Sequence, residues 1–162
     1  MTKILEEIIG DKLRARGLRL ALAESCTGGL VGHRLTNIPG SSTYYMGSVT
    51  AYAYEAKVRL LGVAWVTLER HGAVSAETVE EMARGGRRAL AADIGISVSG
   101  IAGPGGGTIE KPVGLVWMGL SAGDGDWAQQ HHFKGDRVHV KEQAAQAALQ
   151  LGIDYLDGRL KK

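Results

Sequence analysis

Side chains that could act as nucleophile or base recur in the first third of the chain, at points where strand-like segments give way to helical ones. They are Ser25, Cys26, Thr27, Ser41, Ser42 and Lys57. In open α/β sheets, ligands bind in the crevice outside the carboxyl ends of the strands. We therefore expect the segment 20–57 to contain the active site.

Ser42 and Lys57 suggest acyl transfer by a serine–lysine pair. Ser42 follows a Pro-Gly turn, and Lys57 lies fifteen residues later on a predicted helix. A serine becomes a nucleophile when a nearby base removes its proton, and a lysine can do this when burial lowers its pKa. Spacing alone leaves the alternative of a turn-forming serine and an exposed helix lysine.

Other reaction types have little support in the sequence. His131 and His132 are adjacent on a predicted strand, so they point to opposite faces and cannot easily bind one ion. The other histidines form no motivated catalytic triad, and no Ser-x-x-Lys pattern occurs. The single cysteine, Cys26, excludes an internal disulfide and a cysteine-cluster metal site. We expect no metal and no cofactor, with Cys26 in the pocket wall.

Two further features suggest a bound anion. A glycine-rich loop, 100–107, follows Ser99, although Lys111 does not continue it into a phosphate-binding P-loop. Such a loop can still bind an anion through backbone N–H groups, whereas the alternative is a long flexible turn. Arg137 opens the last predicted helix, which is the unfavourable end for a cation. A phosphate could recruit it there, although a solvated surface arginine is an equal alternative.

Hydrophobic periodicity and turn residues predict interleaved strands and helices. The pattern indicates a single three-layer α/β/α domain with a mixed β-sheet, over residues 1–162 with a core of about 3–156. The predicted helices are 2–16, 28–35, 54–61, 66–71, 76–92 and 137–156, and the predicted strands are 18–23, 44–52, 94–99, 113–121 and 127–133.

Composition narrows the possible partners and compartment. The net charge is +2 and the basic residues are scattered, so we expect no contact with nucleic acid. No apolar run approaches the roughly 20 residues that cross a bilayer, so no membrane partner is expected. The N-terminal segment is acidic and amphipathic, unlike a signal peptide, which predicts a cytoplasmic protein.

Seven ordered blocks resemble the CinA C-terminal domain family and together span about residues 5–155. They are Ala23-Glu-Ser-Cys-Thr-Gly-Gly, Pro39-Gly-Ser-Ser, Tyr52 with Glu55-Ala-Lys57, Gly72-Ala-Val-Ser, Ser97-Val-Ser-Gly-Ile-Ala-Gly-Pro, Lys111-Pro-Val-Gly and Gly135-Asp-Arg. The resemblance is to the stand-alone nicotinamide mononucleotide deamidases of that family, which lack the molybdopterin-binding-like domain.

The resemblance implies hydrolysis of nicotinamide mononucleotide to nicotinate mononucleotide and ammonia, by a metal-free homodimer that takes part in NAD salvage. It implies Ser42 as the nucleophile, Lys57 as the general base and Tyr52 beside them. The positions that it implies for substrate binding are Ser25, Thr27, Ser99, Gly100 and Arg137.

One departure from the family pattern leaves alternatives open. The family commonly reads Tyr-Ser-Asn-Glu-Ala-Lys, whereas this chain has Ala53 and Tyr54 in place of Ser and Asn. A nucleotide-binding or regulatory module without catalysis is therefore one alternative, and an amidase for another small amide is a second. A role in DNA uptake or repair is a third, suggested only by the family's competence-related name, and the near-neutral charge argues against direct contact with DNA.

Overall fold

A computed structural model describes residues 2–161; Met1 and Lys162, the ends of the expected domain, lie outside the described residues. A 3₁₀ turn, Ser41–Thr43, precedes the second strand. In chain order the helices and strands are α1 (Leu5–Arg16), β1 (Leu20–Glu24), α2 (Leu30–Thr36), β2 (Tyr45–Thr50), α3 (Tyr54–Leu61), α4 (Trp65–His71), α5 (Ala76–Ala89), β3 (Ile94–Gly100), β4 (Leu115–Ala122), β5 (Gly125–His132) and α6 (Arg137–Leu156).

The five strands form one mixed sheet in the order β2-β1-β3-β4-β5. The strands β2, β1 and β3 are parallel, whereas β4 pairs antiparallel with both β3 and β5. The last two strands, which lie on either side of Gly-Asp-Gly in the sequence, thus form an antiparallel hairpin. From β1 the chain crosses to β2 on one side, and from β2 it returns to β3 on the other side of β1. This reversal opens a crevice at the carboxyl ends of β1 and β3.

Helices cover both faces of the sheet, which confirms the predicted three-layer α/β/α architecture. On one face, α1, α2 and α6 pack on a core that includes Leu22 and Ile96. On the other face α5 crosses the sheet, and α3 and α4 pack beside it. Ala23 of β1 and Met82 of α5 belong to the smaller second core on this face of the sheet. Because helices cover both faces of the sheet, a central strand such as β1 has apolar side chains on both of its faces.

Glycines allow α5 to lie unusually close to its neighbours. A Cβ added to Gly85 would lie 1.9 Å from the Leu61 carbonyl oxygen of α3. One added to Gly119 of β4 would lie 2.3 Å from the Val79 carbonyl oxygen of α5. Real Cβ atoms do not approach oxygen so closely, so no larger residue fits at either position without a backbone shift. The helix glycine at 85 therefore has the packing role that its unfavourable helix propensity indicates.

Local capping signals account for the helix ends that match prediction best. Gly62 ends α3 in the left-handed conformation, with φ of 68°. Asp136 begins α6, since its carboxylate accepts a hydrogen bond from the His139 backbone N–H.

Within residues 2–161 no helix is both long and apolar enough to cross a membrane.

Candidate active site

Ser25 and Lys57 are in direct contact at the carboxyl edge of the sheet. Ser25 comes directly after β1, and Lys57 lies in the middle of α3. The Lys57 Nζ atom lies 2.9 Å from Ser25 Oγ. Lys57 is 1% exposed and Ser25 is 7% exposed. A hydroxyl and an amine at this distance can exchange a proton directly.

The backbone that follows β2 fixes the direction of the Lys57 amine. Its Nζ lies 2.9 Å from the carbonyl oxygens of both Ala51 and Tyr52. A protonated amine donates its three N–H bonds to these two carbonyls and to Ser25 Oγ. A neutral amine has two N–H bonds and one lone pair. Because carbonyl oxygens only accept hydrogen bonds, the lone pair then faces the Ser25 hydroxyl.

Burial prepares Lys57 to act as a base. Removal from water disfavours the charged form and lowers the pKa of Lys57 from 10.5 to about 8. A lysine with this pKa is partly neutral near physiological pH, whereas an exposed lysine is almost wholly protonated. The pair therefore has the contact, the orientation and the proton affinity that nucleophilic catalysis by serine requires.

Glu24, the last residue of β1, anchors the turn that carries Ser25. Its buried carboxylate accepts hydrogen bonds from Thr27 Oγ1 at 2.7 Å and from Ser48 Oγ at 2.9 Å. It also accepts from the backbone N–H groups of Val31 and Gly32, at 2.9 and 3.1 Å. These four bonds tie the turn to β2 and to the first turn of α2. They also occupy the carboxylate, which is therefore not a partner for Lys57.

A small cleft opens beside the Ser25–Lys57 pair and has a volume of 220 Å³. Arg137 spans it, because one guanidinium nitrogen donates to the Gly103 carbonyl oxygen at 2.6 Å and the other to the Tyr52 hydroxyl at 3.0 Å. Tyr52 thus holds Lys57 through its carbonyl and Arg137 through its hydroxyl. The cleft is lined by Cys26, Tyr52, Gly100, Ile101, Ala102, Gly103, Gly105, Gly106 and Arg137.

The thiol in this cleft is poorly suited to be the nucleophile. Burial raises the pKa of Cys26 from 9.0 to about 11. Only a thiolate attacks efficiently, and thiolates form where positive charge or a helix N-terminus lowers the pKa. The position of Cys26 in the cleft wall agrees with its expected role.

A larger groove of 820 Å³ lies between α1, α2 and α6. Among residues 2–161 its lining combines His33, Arg34, Asn37 and Glu142 with glutamine and apolar residues, and contains no serine, threonine, cysteine or lysine. It therefore lacks the nucleophile and the lysine base that the smaller cleft has beside it. Size alone does not identify the reacting centre.

A family model described as the CinA C-terminal domain matches residues 2–156. The chain belongs to the CinA C-terminal domain family. A CinA-like protein of Salinibacter ruber is 52% identical over 146 residues, covering 90% of this chain and 35% of that protein. A CinA-like protein of Chloroherpeton thalassium is 52% identical over 157 residues, covering 94% of this chain and 37% of that protein. The chain thus spans little more than a third of the length of these curated relatives.

Solved structures of CinA proteins share the whole architecture. A CinA superfamily protein of Klebsiella pneumoniae superposes with a TM-score of 0.90 at 35% identity, over 96% of this chain and 99% of that one. The competence/damage inducible protein of Agrobacterium tumefaciens gives a TM-score of 0.87 at 36% identity, over 97% and 99% of the two chains. Both cover nearly all of the CinA domain described here.

The structure does not bring Ser42, the expected nucleophile, to Lys57. Ser42 is exposed in the 3₁₀ turn that precedes β2, whereas Lys57 contacts the residues that follow β2. Six strand residues at roughly 3.3 Å each place the two side chains on the order of 20 Å apart. Within this chain the hydroxyl beside Lys57 belongs instead to Ser25, which the CinA resemblance assigned to substrate binding.

The remaining expected substrate contacts divide into two groups. Gly100 and Arg137 line the cleft, together with Tyr52. Thr27 is buried at 1% exposure and donates its hydroxyl to Glu24, so the structure gives it a structural contact. Thr27 also does not cap α2, because Gly29 occupies the N-cap. Ser99 is buried at the end of β3, next to the cleft residue Gly100.

Neither of the two departures from the common CinA pattern is a hydrogen-bond partner of the Lys57 amine. Ala53 is the N-cap residue of α3 and its exposed side chain makes no capping bond. The Tyr54 ring packs edge-on against Trp65, and its hydroxyl accepts a hydrogen bond from the Ala73 backbone N–H at 3.3 Å. Tyr54 therefore ties α3 to α4 and to the turn after it, without replacing a partner of Lys57.

Proposed function

We propose that this CinA domain hydrolyses the carboxamide of nicotinamide mononucleotide to nicotinate mononucleotide and ammonia. The reaction class is supported by one observation above all, the 2.9 Å contact between Ser25 and the buried, oriented amine of Lys57. The substrate is supported by the resemblance of the ordered motifs to deamidases of this family. Ser25 is the nucleophile in this proposal and Lys57 is its general base.

The first half of the reaction forms an acyl-enzyme. Neutral Lys57 accepts the proton of Ser25 as Oγ attacks the amide carbon. Backbone N–H groups of the turn after Ser25 stabilise the negative charge that develops on the amide oxygen, and one such donor contributes on the order of 3 kcal/mol. Protonated Lys57 then gives its proton to the departing nitrogen. The C–N bond breaks, and ammonia leaves.

The second half restores the enzyme. Neutral Lys57 takes a proton from a water molecule as that water attacks the ester carbon. The tetrahedral intermediate collapses, the bond to Ser25 Oγ breaks, and Lys57 returns the proton to the serine. The product is a carboxylic acid that ionises at neutral pH. One amide and one water are consumed, and the same lysine serves as base and acid in both steps.

Arg137 and the glycine loop 100–106 bind the rest of the nucleotide in this proposal. The Arg137 guanidinium lines the cleft and can bind an anionic group of the substrate. Its hydrogen bond to the Tyr52 hydroxyl holds it over the same segment whose carbonyls orient Lys57. Tyr52 thereby links the substrate-binding side of the cleft to the reacting side.

The experiment is an ammonia-release assay with nicotinamide mononucleotide on Ser25→Ala and Ser42→Ala. Loss of the nucleophile should reduce kcat/KM by about 10⁴-fold or more in Ser25→Ala. Ser42→Ala is the matched control and should stay within about twofold, as exposed sites distant from the chemistry usually do. Loss of activity in Ser42→Ala but not in Ser25→Ala would reverse the assignment.

The same assay separates the alternatives. A regulatory nucleotide-binding module would show a rise in melting temperature with the nucleotide but no ammonia from the unmodified protein. An amidase for another small amide would release ammonia from that amide and not from nicotinamide mononucleotide. Either result would contradict the proposed substrate, and only the first would also contradict the proposed reaction class.

A further inference from the structure

The loop 101–114, which joins β3 to β4, forms one wall of the cleft and has two limbs that pack on each other. Its first limb, 101–106, contributes much of the cleft lining. A Cβ added to Gly103 would lie 2.5 Å from Val113 Cγ1 in the returning limb. One added to Gly107 would lie 2.8 Å from the Val113 backbone nitrogen. Because the limbs are in such close contact, a displacement of the returning limb also displaces the cleft wall.

A tight turn at the tip of this loop carries Lys111. The Thr108 backbone N–H donates to the Lys111 carbonyl oxygen at 2.8 Å, and the Lys111 backbone N–H donates to Thr108 Oγ1 at 2.9 Å. Ile109, between them, is fully exposed. An exposed side chain gains nothing from apolar burial, so Ile109 does not hold the tip in place.

Lys111 ties the tip to the end of α4. Its Nζ donates to the carbonyl oxygen of His71, the last residue of that helix. The last carbonyls of a helix lack intrahelical partners and carry partial negative charge, so a lysine is favourable there. Among residues 2–161 no carboxylate lies within 4.0 Å of the Lys111 amine. The helix end, rather than an acidic side chain, thus holds this cation.

The junction between α4 and α5 that receives this lysine is itself fixed to α3, the helix of the proposed base. The Gly72 carbonyl oxygen accepts a hydrogen bond from Thr78 Oγ1 at 2.7 Å. The Ala73 backbone N–H donates to the Tyr54 hydroxyl at 3.3 Å. Tyr54 begins α3, one turn before Lys57. The tie from the loop tip therefore connects the cleft wall to the helix that carries the base.

We propose that Lys111 is a positioning residue, which fixes the glycine-rich wall of the cleft against α4 and thereby favours substrate binding. Arg137 also holds this loop, through the Gly103 carbonyl oxygen, but in the proposed function it must bind the substrate as well. Glycines give the loop large conformational freedom, so without the tie the substrate must order the wall as it binds. This inference rests on the proposed function and adds to it a residue remote from the reacting atoms.

The first test separates KM from kcat in the ammonia-release assay. Lys111→Met should raise KM for nicotinamide mononucleotide about tenfold and keep kcat within about twofold, because the reacting pair is unchanged. Lys111→Arg can still donate to the His71 carbonyl oxygen and should recover most of the loss. A merely structural contact would lower the melting temperature and kcat without raising KM. An unchanged KM in Lys111→Met would overturn the proposal.

Arg70→Met is the matched control for charge. Arg70 lines the same surface recess as Lys111, but it belongs to α4 itself and not to the loop. Its substitution removes one positive charge without touching the tie, so KM should stay within about twofold. Equal increases of KM in Arg70→Met and Lys111→Met would show that local charge, and not the tie, is responsible, and the proposal would then be wrong.

Hydrogen exchange tests the tie without turnover. Amides of the loop 101–114 should exchange at least about tenfold faster in Lys111→Met than in the unmodified protein, whereas amides of β1 should keep their rates. Unchanged exchange in the loop would overturn the tie. Melting temperatures measured in parallel show that each variant is folded.

The two proposals can fail separately. If the unmodified protein releases no ammonia but the loop of Lys111→Met exchanges faster, the tie stands and the proposed reaction does not. The dissociation constant of nicotinamide mononucleotide, from calorimetric titration, then replaces KM in the comparison of variants. If ammonia is released and Lys111→Met has an unchanged KM and unchanged exchange, the reaction stands and the role of Lys111 is wrong.

Discussion

Two serine-bearing turns lie at opposite edges of the same sheet and differ in what surrounds them. At the carboxyl edge Ser25 contacts Lys57, whose pKa is lowered to about 8 by burial. At the amino edge Ser42 is exposed, and the cation packed against its turn is Arg14, 3.8 Å from where a Cβ of Gly40 would lie. Both turns combine serine, threonine and glycine residues, so the adjacent cation is what distinguishes them.

The two cations are not equivalent chemically. Arg14 donates to Asp11 at 2.8 Å and lies over the Tyr44 ring. A guanidinium remains protonated at any physiological pH and has no lone pair to accept a proton. Within residues 2–161 Lys57 has no ion pair to hold its proton, and three contacts orient its amine. A reactive serine is therefore defined by its neighbour's proton affinity more than by its own turn.

Among substitutions at the two turns, those of Lys57 should lower kcat/KM the most. Lys57→Met and Lys57→Arg should each lower kcat/KM for ammonia release by about 10³-fold, because neither side chain can accept the Ser25 proton. Arg14→Met at the other turn should change kcat/KM by less than about twofold. Full activity in Lys57→Arg would show that positive charge, not proton transfer, is the contribution of this residue. The melting temperature of Lys57→Met shows whether that variant is folded.

The pH dependence of kcat/KM should follow the ionisation of Lys57. Neutral Lys57 is the active form, and its fraction rises as pH increases through the folded pKa of about 8. Between pH 6 and 7.5, kcat/KM should therefore rise about tenfold per pH unit, and it should level off above pH 8. A profile that rises until pH 10 would indicate an unshifted lysine, and a flat profile would exclude it as the base.

Glu24→Gln should lower activity less than the Lys57 substitutions, because Glu24 positions the turn that carries Ser25 and does not itself react. The amide nitrogen of glutamine cannot accept from the N–H groups of Val31 or Gly32, so a buried donor loses its partner. We expect a loss of roughly 1–3 kcal/mol in the free energy of unfolding. Displacement of Ser25 from its alignment should lower kcat by about tenfold. The exposed Glu142→Gln is the matched control, and equal urea midpoints and rates for the two variants would contradict the role of Glu24.

Much of the fold could be predicted from local signals. Gly62 and Asp136 predicted the ends of α3 and α6 because left-handed glycines and capping carboxylates act within one turn. The expectation that ligands bind at strand ends directed attention to the correct edge, where Ser25 follows β1. The mixed sheet followed from interleaved helices and a terminal hairpin. These inferences need only neighbouring residues.

The reacting pair could not be predicted in the same way. Fifteen residues separate Ser42 from Lys57, but β2 lies between them and carries the two to opposite edges. Thirty-two residues separate Ser25 from Lys57, and the parallel pairing of β1 with β2 brings them together. The burial that lowers the lysine pKa depends on how α3 lies on α5. Pairing direction and helix contact are long-range properties that spacing does not contain.

The missing side chain at Gly85 has a consequence for how this protein could be altered. The backbone of α3 rests directly on α5 there, one turn beyond the lysine that faces Ser25. Any side chain added at 85 would lift α3 and with it the amine, while the cleft residues themselves stayed unchanged. Gly85 is thus a remote position from which the separation of base and nucleophile can be adjusted, and a screen confined to the cleft would overlook it.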